Sequence, residues 1–244
     1  MKILVVNVNT TVSMTEAITA SARSVAAPGT EIIGLTPTFG ADSCEGNFDS
    51  YLAAVGVMDA VTRYEGEYDA VIQAGFGEHG REGLQELLEV PVVDITEAAG
   101  HLASLLGHTY SVVTTLDRTV PLIQDRLKLA GLDARCASVR SSGLSVLELD
   151  QDHEAAIKAI VTQAQRAVTE DHAEVICLGC GGMAGLDQAV AAATGVPVVD
   201  GVTAATKLAE ALIGLRLSTS KIRTYATPRP KRVTGWPLTP PTRS

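Results

Sequence analysis

Residues 174–185, EVICLGCGGMAG, followed by VPVVD at 196–200 and TAATKLAEALIG at 203–214, repeat an earlier stretch of the same chain. That stretch reads AVIQAGFGEHG at 70–80, VPVVD at 90–94 and TEAAGHLASLLG at 96–107. Each copy is a short apolar run, a glycine-bearing turn, a helical pattern, a β-branched run and a helix, the order of a βαβ unit. A duplicated α/β unit sets two equivalent strand-end loops facing each other. Ligands of parallel sheets bind beyond the carboxyl ends of the strands, so both loops serve one cleft. Aligned on VI and VPVVD, with a one-residue gap in the loop, the copies disagree at one position. The second carries Cys180 where the first carries Gly75.

The duplication reaches further out. LVVNVNTTVSM at 4–14 resembles SVVTTLDRTVPL at 111–122: a strand, a threonine-rich turn and a helix start. We therefore expect two similar Rossmann-like α/β domains with mainly parallel sheets, related by a pseudo-two-fold axis. Residues 1–107 with 205–225 form the first, and 108–204 the second. Residues 226–244, proline-rich and basic, form a peripheral tail. Expected strands cover 3–8, 31–35, 70–74, 90–93, 110–114, 135–139, 174–178 and 196–199. Expected helices cover 13–26, 51–63, 82–88, 97–106, 120–130, 154–168, 186–193 and 204–213. Ser13 and Glu16 have capping-box spacing for the first helix.

Composition narrows the function class. Aromatics are only 4% of 244 residues, so the core is aliphatic, as in helices packed on a parallel sheet. A formal charge of −9 argues against a nucleic-acid footprint. No apolar run approaches the roughly 20 residues of a membrane span. Four cysteines in a chain this long do not suggest a disulfide framework, and a cytoplasmic, reducing compartment is expected. Cys177 and Cys180 have CxxC spacing, but no second ligand pair accompanies them, so no metal site is expected.

The chemistry-bearing residues fall at the four strand ends. Cys180 lies between glycines at a strand-to-helix turn, where Gly181 and Gly182 offer main-chain N–H groups. Such a turn should lower the thiol pKa and make it a usable base or nucleophile. The alternative role, a small buried filler at a tight turn, fits an isolated cysteine better than this one. Facing it, Phe76 and Gly77 offer main-chain donors, and Glu78 and His79 open the next helix. His79 suits proton transfer, with a solvated first-turn residue as the plain alternative. Asn9 and Thr10 in the first turn, and Thr114 and Thr115 in its counterpart, offer uncharged hydrogen-bonding groups for carboxylate or imide oxygens.

Taken together, these residues resemble the aspartate/glutamate/hydantoin racemase superfamily, most closely its hydantoin and allantoin racemase branch. The likeness rests on NxNTT at 7–11, EGxFD at 45–49, FGxxG at 76–80, VTTLxRT at 113–119, LGCGGM at 178–183, VPVVDGV at 196–202 and LSTSK at 217–221. The resemblance implies a cofactor-independent isomerase, a small-molecule substrate and a homo-oligomer. It implies two-base racemisation, in which one thiolate removes the proton alpha to a carbonyl and a second thiol returns one from the opposite face. Cys180 matches one of these cysteines, and the other position is Gly75. Three explanations of that departure stand: a replacement base (His79, Glu78 or water), a single-cysteine decarboxylase or other isomerase of the superfamily, or an engineered, impaired variant. The leading reading is racemisation of 5-substituted hydantoins or related ureides. Gly75→Cys is the most informative change, a large gain marking a racemase frame that runs on one thiol.

Overall fold

The computed structural model describes residues 1–151 and 153–234. The first sheet contains β1 (Lys2–Val6), β2 (Glu31–Leu35), β3 (Ala70–Gln73) and β4 (Val92–Asp94), in the order β2-β1-β3-β4. The second contains β5 (Tyr110–Thr114), β6 (Cys136–Ser141), β7 (Val175–Leu178) and β8 (Val198–Asp200), in the order β6-β5-β7-β8. All pairings are parallel, and the two orders are the same topology twice. The α/β duplication read from the sequence is thus the architecture. The VPVVD strands enter the ladder two residues later than expected, after Pro91 and Pro197, each of which lacks an N–H to donate.

Register settles which residues are equivalent. Gln73 pairs with Asp94 in the first sheet, and Leu178 pairs with Asp200 in the second. Two residues beyond these partners stand Gly75 and Cys180, so the mismatch is a property of the fold and not of an alignment. Both aspartates then cap helices. Asp94 Oδ1 accepts from the N–H groups of Thr96 and Glu97, each at 2.8 Å, to start α4 (Ile95–Leu106). Asp200 Oδ1 accepts from Val202 at 2.6 Å and Thr203 at 3.1 Å to start α9 (Gly201–Gly214). Strand and cap together explain why VPVVD occurs twice.

The remaining helices are α1 (Val12–Val25), α2 (Asn47–Thr62), α3 (Arg81–Leu87), α5 (Val120–Leu129), α6 (Val146–Gln151), α7 (His153–Glu170) and α8 (Asp187–Thr194). The capping box expected at Ser13 does not form. Helix α1 begins at Val12 with Thr11 as its N-cap, and Thr11 directs its hydroxyl to Asp42 O at 2.7 Å instead. Helix α2 begins four residues earlier than expected, and α6 was not expected at all.

Helices α4 and α9 pack on each other and reach across: α4 lies on β7 and β8, α9 on β3 and β4. Ile72, Val93, Ala99, Tyr110, Cys177, Val199 and Ala205 therefore belong to one core that runs through both halves. Burying that much aliphatic surface between them makes the halves one body rather than two loosely tethered ones. Beyond α9, Lys221 Nζ donates to the carbonyls of Gln85 (2.6 Å) and Glu86 (3.0 Å), which closes the C-terminal end of α3. The tail has no helix or strand from 226 to 234, and its last ten residues lie outside the described part. Among the described residues no helix is long and apolar enough to cross a membrane.

Candidate active site

The loops after β3 and β7 meet backbone to backbone. A Cβ on Gly181 would lie 2.8 Å from Ala74 O, so only glycine lets the Cys180 loop approach this closely. Between the loops lies a cavity of about 50 Å³. At roughly 10–15 Å³ per water that is room for a few waters or a small ring. The turn after β1 supplies Asn7, Val8 and Asn9 to its wall; the turn after β5 supplies Thr114, Thr115 and Thr119. The loop after β3 supplies Gly75, Phe76 and His79, and the loop after β7 supplies Gly179, Cys180, Gly181 and Gly182.

Cys180 has extended backbone (φ −160°, ψ 139°) and caps a short 3₁₀ turn over Gly181–Met183. Its Sγ accepts from Gly182 N at 3.3 Å. The sequence reading expected these N–H groups to lower the thiol pKa, and here the structure corrects it. Burial dominates, outweighing the N–H groups of Gly182 and Met183, and pushes the thiol up to about 11. Cys180 is therefore a neutral S–H near pH 7. Cys177, facing the shared core, is a fully buried free thiol.

The opposite wall is asymmetric in a second way. A Cβ on Gly75 would overlap His79 Cδ2 and lie 2.5 Å from Val8 Cγ1 and 2.7 Å from Gln73 Nε2. The imidazole of His79 thus occupies the space that a side chain at 75 would take. His79 is buried, and its Nδ1 and both amide atoms of Gln73 lack hydrogen-bond partners among the described residues. Burial lowers the His79 pKa from 6.5 to about 4, helped by Arg126 and opposed by Asp94 and the Phe76 backbone. The unfolded chain takes up this proton near 6.5, but the folded chain does so only near 4. The stability that neutral His79 contributes is therefore whole above pH 6.5 and lost as pH falls from 6.5 to 4, by about 3 kcal/mol. Urea titrations at pH 7 and pH 4.5 should show a larger drop for the parent than for His79→Gln. Equal drops would mean that the imidazole is not held neutral.

Of the residues singled out in the sequence, Asn9, Gly75, Phe76, His79, Thr114, Thr115, Cys180, Gly181 and Gly182 come together around the cavity. Two do not line it. Thr10 turns away, its N–H and hydroxyl both donating to Ala41 O at 3.0 and 3.2 Å. Gly77, at φ 136°, donates its N–H to Thr96 Oγ1 at 2.9 Å and supports the loop from outside. The sequence reading missed Cys44 and Thr119 as lining residues. Cys44 donates to Val8 O at 3.2 Å, and burial pushes its thiol up to about 12. Asn7, fully buried, bonds Asn9 Oδ1, Thr11 O and Thr15 Oγ1 through its Nδ2, which shapes the first turn. Glu78 stays off the cavity wall: Oε1 accepts from Gly80 N at 3.0 Å and Oε2 pairs with Arg126 at 3.0 Å.

The cleft between two duplicated α/β halves thus carries the thiols of Cys44 and Cys180 among uncharged hydrogen-bonding groups. The Asp/Glu/Hydantoin racemase family model matches residues 3–209, and the chain belongs to that family. It is 73% identical to allantoin racemase from Pseudomonas fluorescens, covering 96% of this chain and 100% of that one, with a TM-score of 0.95. With allantoin racemase from Klebsiella pneumoniae it shares 42% identity over 96% of each chain, with a TM-score of 0.92. With the hydantoin racemase of Pseudomonas sp. (strain NS671) it is 39% identical over 236 residues, 96% of this chain and 95% of the relative.

Proposed function

We propose that this chain racemises 5-substituted hydantoins or related ureides, allantoin among them, by cofactor-independent proton transfer at C5. The observation that carries the reading is the Cys180 thiol, which lines a small cavity together with Gly75 and His79 of the first half. The names of the relatives support the substrate class. A C5 proton flanked by a carbonyl is acidic enough for an enolate-like intermediate, and an uncharged donor such as the Thr115 hydroxyl suits its oxygens.

In the resting form Cys180 carries its proton, so it donates at its face while the opposite turn abstracts. The C5–H bond breaks to the base of that turn, and a new C5–H bond forms from Cys180, leaving a thiolate. The turnover of the mirror-image substrate, or exchange with solvent, restores the first state. The second acid/base belongs to the Glu78–His79 turn. His79 packs over Gly75 as a neutral imidazole. Burial, with Glu82 beside it, raises the Glu78 carboxyl pKa while Gly80 N–H and Arg126 hold it back. Glu78→Gln and His79→Asn, assayed separately, apportion the role. Phe48 and Tyr51, exposed one turn apart on α2, fit the assembly of identical chains, which light scattering would measure.

The test is to incubate the protein with one enantiomer of allantoin or a 5-alkylhydantoin in heavy water. Optical rotation should decay to zero with one deuterium at C5 in each inverted molecule. Release of carbon dioxide from a substituted malonate, with no loss of rotation, would replace this reading by the decarboxylase one.

A further inference from the structure

The asymmetry at Gly75 and Cys180 has a counterpart one layer below the cleft. Asp94 and Asp200 are equivalent and cap equivalent helices, but their second oxygens differ in partner. Asp200 Oδ2 accepts from the main-chain N–H of Gly185 at 3.0 Å, within its own half. Asp94 Oδ2 accepts from Arg126 Nη2 at 2.8 Å, and Arg126 comes from α5 after the other sheet's first strand. Its side chain is 1% exposed, on the same inward stripe as Ile123 and Leu127.

Both terminal nitrogens of Arg126 are shared between carboxylates. Nη2 also donates to Glu97 at 2.8 Å, and Nη1 donates to Glu82 at 2.5 Å and to Glu78 at 3.0 Å. One planar guanidinium thus bridges the end of β4, the first turn of α4, α3 and the Glu78–His79 turn. The only other cation facing this group is Arg81, on Glu82, Asp94 and Glu97, among the described residues. Four carboxylates therefore surround two guanidiniums, with His79 close to Asp94 and Arg126 and His101 further along α4 beside Glu97. The fork geometry is what makes this possible, because a point charge cannot satisfy both carboxylate pairs at once.

We propose that Arg126 is the positioning residue of the second acid/base: from the opposite half of the molecule it holds the Glu78–His79 turn in register with the cleft. This rests on the reading that this turn supplies the second acid/base, whichever of its two side chains moves the proton. Arg126 does not line the cavity. It acts through Glu78, whose other oxygen closes the turn on Gly80 N, and through Asp94, which starts the helix whose Thr96 hydroxyl takes Gly77 N–H. Its positive charge also favours the ionised carboxyl at 78 and the neutral ring at 79.

The test compares inversion with exchange. In its thiolate form the Cys180 face can remove and return a hydrogen by itself, exchanging it with heavy water without inversion, whereas inversion needs both faces. In Arg126→Lys, which keeps the charge and loses the fork, inversion should fall by at least about tenfold. Exchange of one enantiomer without inversion should persist. In Arg126→Met the acidic limb of kcat/KM should move up by about one pH unit, because the charge that favours Glu78 ionisation is gone. Should Arg126→Met fail to fold, Arg126→Lys alone decides. Inversion and exchange falling together for both enantiomers, or neither changing, would overturn the proposal. Glu78→Gln/His79→Asn separates the two levels. If that variant inverts substrate like the parent, the reading of the turn fails. If it is inactive while Arg126→Lys behaves like the parent, only the role of Arg126 fails.

Discussion

Gly75→Cys by itself is expected to destabilise the protein by about 1–3 kcal/mol and to add no racemisation. The sequence alone points the other way, since a thiol restored opposite Cys180 would complete a two-cysteine site. The obstacle is steric. The new Cβ would overlap His79 Cδ2 and meet Val8 Cγ1 at 2.5 Å, closer than real Cβ atoms approach carbon. Neither neighbour is the loose end of an exposed chain: Val8 follows β1 and is buried, and His79 is buried close to Arg126 and Asp94. The thiol and the imidazole compete for one volume. Gly75→Cys/His79→Ala should therefore regain most of the lost stability and give a faster racemase than either single change. Thermal melts should show the single variant several degrees below the parent, at roughly 2–4 °C per kcal/mol for this size. A single variant as stable as the parent and more active would mean that His79 swings aside freely.

That reversal illustrates what local sequence conveys. Eight strands were legible because each is a β-branched run between helical patterns, and the repeated VPVVD located both capping aspartates. The equivalence of Gly75 and Cys180 was legible for the same reason. What fills the space at Gly75 was not, because the answer comes from a residue four positions on whose ring folds back. The thiol pKa went astray because N–H donors are visible in LGCGGM whereas burial is not. Thr10 and Gly77 sit in the right turns but point away, a direction no motif records. Arg126 was overlooked altogether: a lone arginine in an apolar helical stripe is its only trace, and its four carboxylate partners lie 29 to 48 residues away in sequence.

Cys180→Ser should lower inversion by about 10²–10⁴ while leaving the fold and substrate affinity nearly intact. The thiol accepts from main-chain N–H groups, Gly182 N at 3.3 Å and Met183 N, which a serine oxygen can also take, so the exchange removes little structure. Its chemistry is harder to replace. Even raised to about 11, the thiol ionises far more readily than a serine hydroxyl, so only sulfur can give and retake a proton at this face. The variant should also resolve the two faces. The enantiomer whose C5–H points at the Glu78–His79 turn should still exchange its hydrogen with heavy water, slowly and without inversion. Its mirror image, presenting C5–H to the hydroxyl that replaces the thiol, should not exchange. NMR of each enantiomer in heavy water measures both rates. Retained inversion would remove Cys180 from the reaction, whereas loss of exchange for both enantiomers would place all proton abstraction at the thiol and none at the opposite turn.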